Sequence, residues 1–295
     1  MSTATSLPAL TSPSVVTKLL NEAGIRPRRS LGQNFLIDAN VLRIIEKASA
    51  LSPSDTVIEV GAGLGALTQA LVERCARVYA LESDPRLFKI LERELGPAQN
   101  LVLVAADAAR FDFGGLFEGK PPERVKMVAN LPYGIAATLI IDCLYNYPWI
   151  GEYTVMVQKE IAKRLTAEPG SKDYSAATVK ARCLAGVKRI ANISRNSFYP
   201  TPRVDSTLLC IKHLEQEVEL LPADRAFFNA VVTAAFGQRR KKLANSLSAS
   251  TEISIDRETI REALSAIGKG PDSRAEQLSP AEFVKIAGRL RKEGG

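Results

Sequence analysis

Histidine is almost missing from this chain: His213 is the only one in 295 residues. Hydrolases of the Ser-His-Asp or Cys-His kind set an imidazole beside the nucleophile, and a single imidazole disfavours that chemistry. The four cysteines, Cys75, Cys143, Cys183 and Cys210, stand far apart with no Cys-x-x-Cys pair. No metal site is therefore expected, and the thiols should be reduced and buried, as in the cytoplasm. No apolar run approaches the roughly 20 residues that a membrane-spanning helix needs. Residues 1–17 contain neither lysine nor arginine, so they show no secretory n-region and no arginine-rich transit segment. They read as a loose leader. The protein is expected to be cytoplasmic and monomeric, with no membrane partner.

What is present is ordinary globular composition, 46% hydrophobic and 24% charged, with a net charge of +7. The positive excess is unevenly placed. Residues 51–149 carry 12 acidic and 9 basic side chains, whereas residues 151–215 carry 6 acidic and 11 basic. A basic surface kept apart from a more acidic core fits a polyanionic partner such as nucleic acid.

Short apolar segments at Thr56–Val60, Val78–Leu81, Leu101–Ala105 and Val125–Ala129 alternate with helical spacing at Ala66–Arg74 and Pro85–Leu95. That rhythm predicts βαβ units and a mainly parallel, Rossmann-like α/β sheet. Further strands are expected at Tyr153–Val157, Val187–Asn192 and Thr207–Lys212, and helices at Val15–Ala23 and Asp38–Ala50. Beyond Leu220-Leu221-Pro222 only helical spacing remains, at Asp224–Phe236, Asp256–Ile267 and Pro280–Lys292. Three segments are predicted: the leader 1–17, a catalytic domain 18–217, and a small all-helical domain 218–295.

The first of these strands runs into Glu59-Val60-Gly61-Ala62-Gly63-Leu64-Gly65, a glycine turn opening a helix. Glycines there let the backbone approach a ligand at the sheet's switch point. Glu82 ends the second strand, where a carboxylate can accept ribose hydroxyls; Asp107 ends the third, where it can meet an adenine amine. No lysine follows the glycines, so no phosphate-cradling loop is present. A nucleoside pocket without a pyrophosphate site points to S-adenosyl-L-methionine rather than NAD. The fourth strand ends in Asn130-Leu131-Pro132-Tyr133. The Asn130 side-chain oxygen and the Leu131 carbonyl, turned out of the ladder by Pro132, can accept from the two hydrogens of an exocyclic amine. Tyr133 offers a ring on which a displaced base can stack.

At these residues the chain resembles the KsgA-type ribosomal RNA adenine N6,N6-dimethyltransferases, over about residues 26 to 290. Gly32-Gln33-Asn34-Phe35-Leu36 resembles their N-terminal cofactor motif, which implies that Asn34 and Leu36 join Gly61, Gly63, Glu82, Asp107 and Asn130 around S-adenosyl-L-methionine. Phe198-Tyr199-Pro200-Thr201-Pro202-Arg203-Val204-Asp205-Ser206 resembles the segment whose aromatic, Phe198, sandwiches the target base opposite Tyr133. Phe236 to Leu243 and Arg274 to Ser279 resemble the two signatures of the family's helical domain. One departure stands out: Asp173-Tyr174-Ser175-Ala176-Ala177 replaces the usual Tyr-Gly before a helix. The resemblance implies methylation, twice each, of two adjacent adenosines in the 3′-terminal hairpin loop of small-subunit rRNA, in immature 30S particles, releasing S-adenosyl-L-homocysteine. Arg28, Arg29, Arg239, Arg240, Lys241 and Lys242 are then the expected RNA-binding cations. The alternatives are the sister enzyme that methylates large-subunit rRNA and confers macrolide resistance, and a non-catalytic assembly factor on the same scaffold.

Overall fold

The computed structural model describes residues 10–27, 33–214 and 224–293. Its chain forms two compact units. One runs to Ala162 and adds Lys188–Lys212; the other comprises Lys163–Val187 and everything from His213 onward.

The first unit is built on a seven-stranded sheet in the order β4-β3-β2-β5-β6-β9-β7. Its strands are β2 (Thr56–Val60), β3 (Arg77–Glu82), β4 (Leu101–Ala105), β5 (Val125–Asn130), β6 (Ile150–Gln158), β7 (Ala185–Ile193) and β9 (Ser206–His213). Strands β2 to β6 pair in parallel, and β9 returns antiparallel to β6. Every residue of β2 is buried, as expected for a central parallel strand covered on both faces. Strand order reverses between β2 and β5, and a crevice opens there at the strands' carboxyl ends. Helices α3 (Ala66–Val72), α4 (Pro85–Leu95), α5 (Ala136–Asn146) and α6 (Lys159–Leu165) follow β2, β3, β5 and β6. The start of α4 is set locally: Pro85 takes the first turn, and the Asp84 carboxylate accepts from the Arg86 N–H.

A two-stranded ribbon lies apart from the main sheet. β1 (Phe35–Leu36) pairs antiparallel with β8 (Phe198–Tyr199), Phe35 opposite Tyr199 and Leu36 opposite Phe198. Helix α2 (Ala39–Ser49) follows β1, with Asp38 as its N-cap.

Residues 10–17 depart from the expected loose leader. Helix α1 spans Pro13–Glu22, and Leu10, Val16, Leu19 and Leu20 are buried in the main core. Their apolar spacing gives the segment a face to bury, which offsets the cost of ordering it. The second unit holds α7 (Ala176–Arg182), α8 (Arg225–Gly237), α9 (Leu243–Ser248), α10 (Arg257–Ala266) and α11 (Pro280–Glu293). Its core includes Phe228, Val231, Leu247, Ile260, Leu264 and Phe283. A single cut at 217/218 therefore does not describe the chain, because Lys163–Val187 packs with the later helices. Tyr174 is buried there and donates to the Leu278 carbonyl at 2.7 Å, while the Thr178 hydroxyl accepts from the Ser175 N–H at the start of α7. The departure at Ser175 is thus an ordinary helix start. The expected boundary at 218 itself lies outside the described residues.

Candidate functional site

Glu82 closes β3 inside the crevice. Its Oε2 accepts from the Gly63 N–H at 2.9 Å and its Oε1 from the Asp84 N–H at 2.8 Å. The carboxylate is thereby fixed across the glycine turn. Burial raises its pKa against the pull of those two bonds. Gly61 and Gly63 both have positive φ, +76° and +62°. A Cβ on Gly61 would stand 3.3 Å from Pro132 Cγ, and one on Gly63 equally close to the Phe35 ring. The turn needs the left-handed region and leaves no room for side chains.

Asp84 ties two walls together. It takes a two-pronged contact from Arg86, at 3.0 and 2.7 Å, and accepts from Gln33 Nε2 at 3.1 Å. The guanidinium holds its carboxyl down at about 2. Gln33 leads into Asn34, whose backbone carbonyl accepts from Asn130 Nδ2 at 3.4 Å. That bond orients the Asn130 amide. Its oxygen, Oδ1, is buried with no hydrogen-bond partner among the described residues. A buried acceptor left unmade costs free energy, so its presence calls for a ligand donor.

Asn34, Leu36, Gly61, Gly63, Glu82, Asn130 and Pro132 line one cavity, and six of these seven are among the seven expected cofactor residues. Asp107, the remaining one, does not line it. It lies exposed two residues past β4, and its Oδ1 accepts from the Ala109 N–H. Eleven further residues line it, among them Leu10, Gln33, Phe35 and Glu59, none of which was assigned to the site from the sequence. Glu59 carried a readable signal, an acid inside the apolar run Thr56–Val60. Its Oε2 accepts from the Thr68 hydroxyl at 2.6 Å, and burial, reinforced by Glu82, pushes its carboxyl up to about 8. Leu10 carried none.

Beyond the cavity, Leu131 is buried and its N–H is spent on the Met156 carbonyl. Tyr133 is half-buried, with its hydroxyl 2.9 Å from Ser206 Oγ. Phe198 is 1% exposed and belongs to the core, whereas its neighbour Tyr199 is 40% exposed. The cause is strand alternation, which turns Phe198 inward beside Leu36 and Tyr199 to the other side.

Among the expected RNA-binding cations, Arg28 and Arg29 lie outside the described residues. Arg239 is engaged within the helical unit: Nε donates to Glu276, and its other nitrogens to the carbonyls of Lys172 and Ser171. Three such bonds make it a structural staple rather than a free phosphate contact. Arg240, Lys241 and Lys242 are exposed to differing degrees, Lys242 pairing with Asp272 at 2.6 Å. Among the described residues no group of three or more metal-ligating side chains gathers, and no helix is long and apolar enough to cross a membrane.

A parallel sheet with a glycine turn, a strand-end carboxylate and an Asn-Leu-Pro-Tyr corner at its switch point defines a Rossmann-like methyltransferase. The chain belongs to the ribosomal RNA adenine dimethylase family, whose model matches residues 24–292. It is 40% identical over 290 residues to the ribosomal RNA small subunit methyltransferase A of Moorella thermoacetica, covering 96% of this chain and 99% of that one. The protein of the same name from Rubrobacter xylanophilus is 42% identical over 265 residues, 90% and 95% of the two chains. Among solved structures, a dimethyladenosine transferase from Plasmodium falciparum shares the fold, with a TM-score of 0.70 at 23% identity over 88% of this chain and 98% of that one. The 23S rRNA methyltransferase ErmE gives 0.64 at 27% identity, over 88% of this chain and 100% of that one.

Proposed function

We propose that this chain transfers methyl groups from S-adenosyl-L-methionine to N6 of two adjacent adenosines in the 3′-terminal hairpin loop of small-subunit rRNA. The substrate is an immature 30S particle, and the protein works as a cytoplasmic monomer. The carrying observation is Asn130 Oδ1, buried and without a partner among the described residues, in one cavity with the clamped carboxylate of Glu82.

The residues present fit a nucleoside that carries a positive charge. Glu82 keeps acceptor capacity for ribose hydroxyls, and the side-chain-free turn at Gly61 and Gly63 admits the ligand against backbone. S-Adenosyl-L-methionine supplies an electrophilic methyl carbon when bound and is released as S-adenosyl-L-homocysteine. The purine ring delocalises the adenine amine lone pair, which makes N6 a poor nucleophile. Asn130 Oδ1 accepts from one N6 hydrogen and the Leu131 carbonyl from the other. Together they fix the amine and draw its lone pair out of the ring. Tyr133 stacks on the base, its ring held by the bond to Ser206. No strong base is required, since N6 sheds its proton to water after it becomes cationic. Rate acceleration rests on positioning and on preorganised acceptors.

The reading is supported by relatives named as small-subunit methyltransferases at 40% identity and above. The likeness to a 23S rRNA enzyme defines the competing substrate. Purified protein, methyl-labelled S-adenosyl-L-methionine and 30S subunits lacking the modification should yield labelled dimethyladenosine, with unmodified 50S subunits unlabelled in parallel. Label confined to 50S subunits would assign the large-subunit activity. Tight binding to 30S without label would leave an assembly factor.

A further inference from the structure

We propose that Leu10 is part of the cofactor site: the segment leading into α1 forms an apolar wall of the cavity, and cofactor binding and docking of that segment are linked. The inference rests on the reading of this cavity as the S-adenosyl-L-methionine site.

Leu10 stands three residues ahead of α1, yet it is 1% exposed. Its backbone N–H donates to Gln69 Oε1 on α3, the helix that follows the glycine turn, at 3.5 Å. Its side chain lies 3.4 Å from where a Cβ on Gly65 would stand. Among the described residues it is the one lining residue that comes from ahead of Gln33. Behind it, α1 buries Val16, Leu19 and Leu20 in the same core. Those three anchor the segment without lining the cavity, so anchoring and ligand contact fall on different residues. This separation makes the proposal testable.

A leucine wall excludes water from the polar contacts opposite it, which strengthens them, and buries its own surface against the ligand. Because the wall is complete only when the segment is docked, a ligand that touches it must stabilise the docked form.

The probe is S-adenosyl-L-homocysteine, titrated calorimetrically into the full-length protein and its Leu10→Ala, Val16→Ala and Glu82→Ala variants. Leu10→Ala should weaken binding by about tenfold, the loss expected when a buried leucine is cut back from a ligand. Val16→Ala removes core packing from the same segment and should leave affinity within about twofold. In the wild type, saturating ligand should also slow amide exchange across residues 13–22. Equal affinity loss in Leu10→Ala and Val16→Ala would overturn the assignment of Leu10 to the site, because the effect would then come from undocking alone. So would an unchanged affinity in Leu10→Ala while Glu82→Ala loses it, which leaves the cavity reading intact. Wild-type affinity in Glu82→Ala as well would bring down the cavity reading itself.

Discussion

Glu59 sits in a fully buried strand with one hydroxyl for company, and its proton is a measurable property of the ligand-free protein. Folded, its carboxyl titrates near 8; unfolded, near 4.5. Between those values the folded chain holds a proton that the unfolded chain has released. Stability attributable to Glu59 therefore falls as pH rises through this window and levels off above it. Glu59→Gln keeps an acceptor for Thr68 and removes the titration. The thermal midpoint of the ligand-free wild type should drop relative to the variant between about pH 5 and pH 8. Parallel profiles would show that Glu59 is not protonated at neutral pH. At the same scale, Phe198 and Tyr199 are neighbours with opposite fates. Phe198→Ala should cost about 3–5 kcal/mol in denaturant unfolding, as is usual for a buried aromatic. Tyr199→Ala should cost no more than about 1 kcal/mol, since its ring is partly in solvent. Similar losses for the two would contradict the burial contrast.

Among elements, the glycine turn between β2 and α3 carries the most consequence per residue. Gly61→Ala forces a Cβ into the left-handed region and against Pro132. A destabilisation of about 1 kcal/mol is expected, with a loss of affinity for S-adenosyl-L-homocysteine well beyond what that figure implies. Wild-type affinity would mean that the turn tolerates a methyl group and does not touch the ligand. The parallel core was legible in the chain because each strand is a short apolar run bounded by turn residues, and β2 to β5 lie within a residue of where the runs fall. Helix α5 was not. Ala136–Asn146 is apolar on most sides, so no polar face marks its period. Strands β1 and β8 are two residues each and find one another across about 160 residues, which no local pattern encodes. The same holds for Leu10, whose N–H reaches Gln69 on α3, 59 residues further along the chain. In the site, Glu82, Asn130 and the glycines were readable as strand ends. Asp107 follows the same logic, but it stands exposed outside that cavity, its Oδ1 accepting from the Ala109 N–H.

At the scale of the molecule, the proposed function asks the basic helical unit to divide its cations between holding itself together and meeting RNA. Arg239→Glu breaks three bonds within that unit and should lower its stability by about 1–3 kcal/mol, discounted for its partial exposure. Reversing Arg240, Lys241 and Lys242 to glutamate should leave unfolding almost unchanged while weakening attachment to 30S subunits. The slope of log affinity against log salt should flatten by about 0.7–0.9 for each phosphate that these cations no longer neutralise. An unaltered slope would remove this patch from the RNA interface. On the proposed reading, the cofactor crevice and the cation patch make separable demands on the chain, the one for methyl transfer and the other for holding the particle.

The most direct test is a count of methyl groups delivered to unmodified 30S subunits by the wild type and by Asn130→Ala, with binding of S-adenosyl-L-homocysteine measured for both. The wild type should approach four methyls per particle, two on each adenosine. The variant should lose at least about a hundredfold in rate, as when a preorganised polar group is removed from a reaction centre, yet still bind the ligand. Turnover by Asn130→Ala at the wild-type rate would contradict the account at its centre.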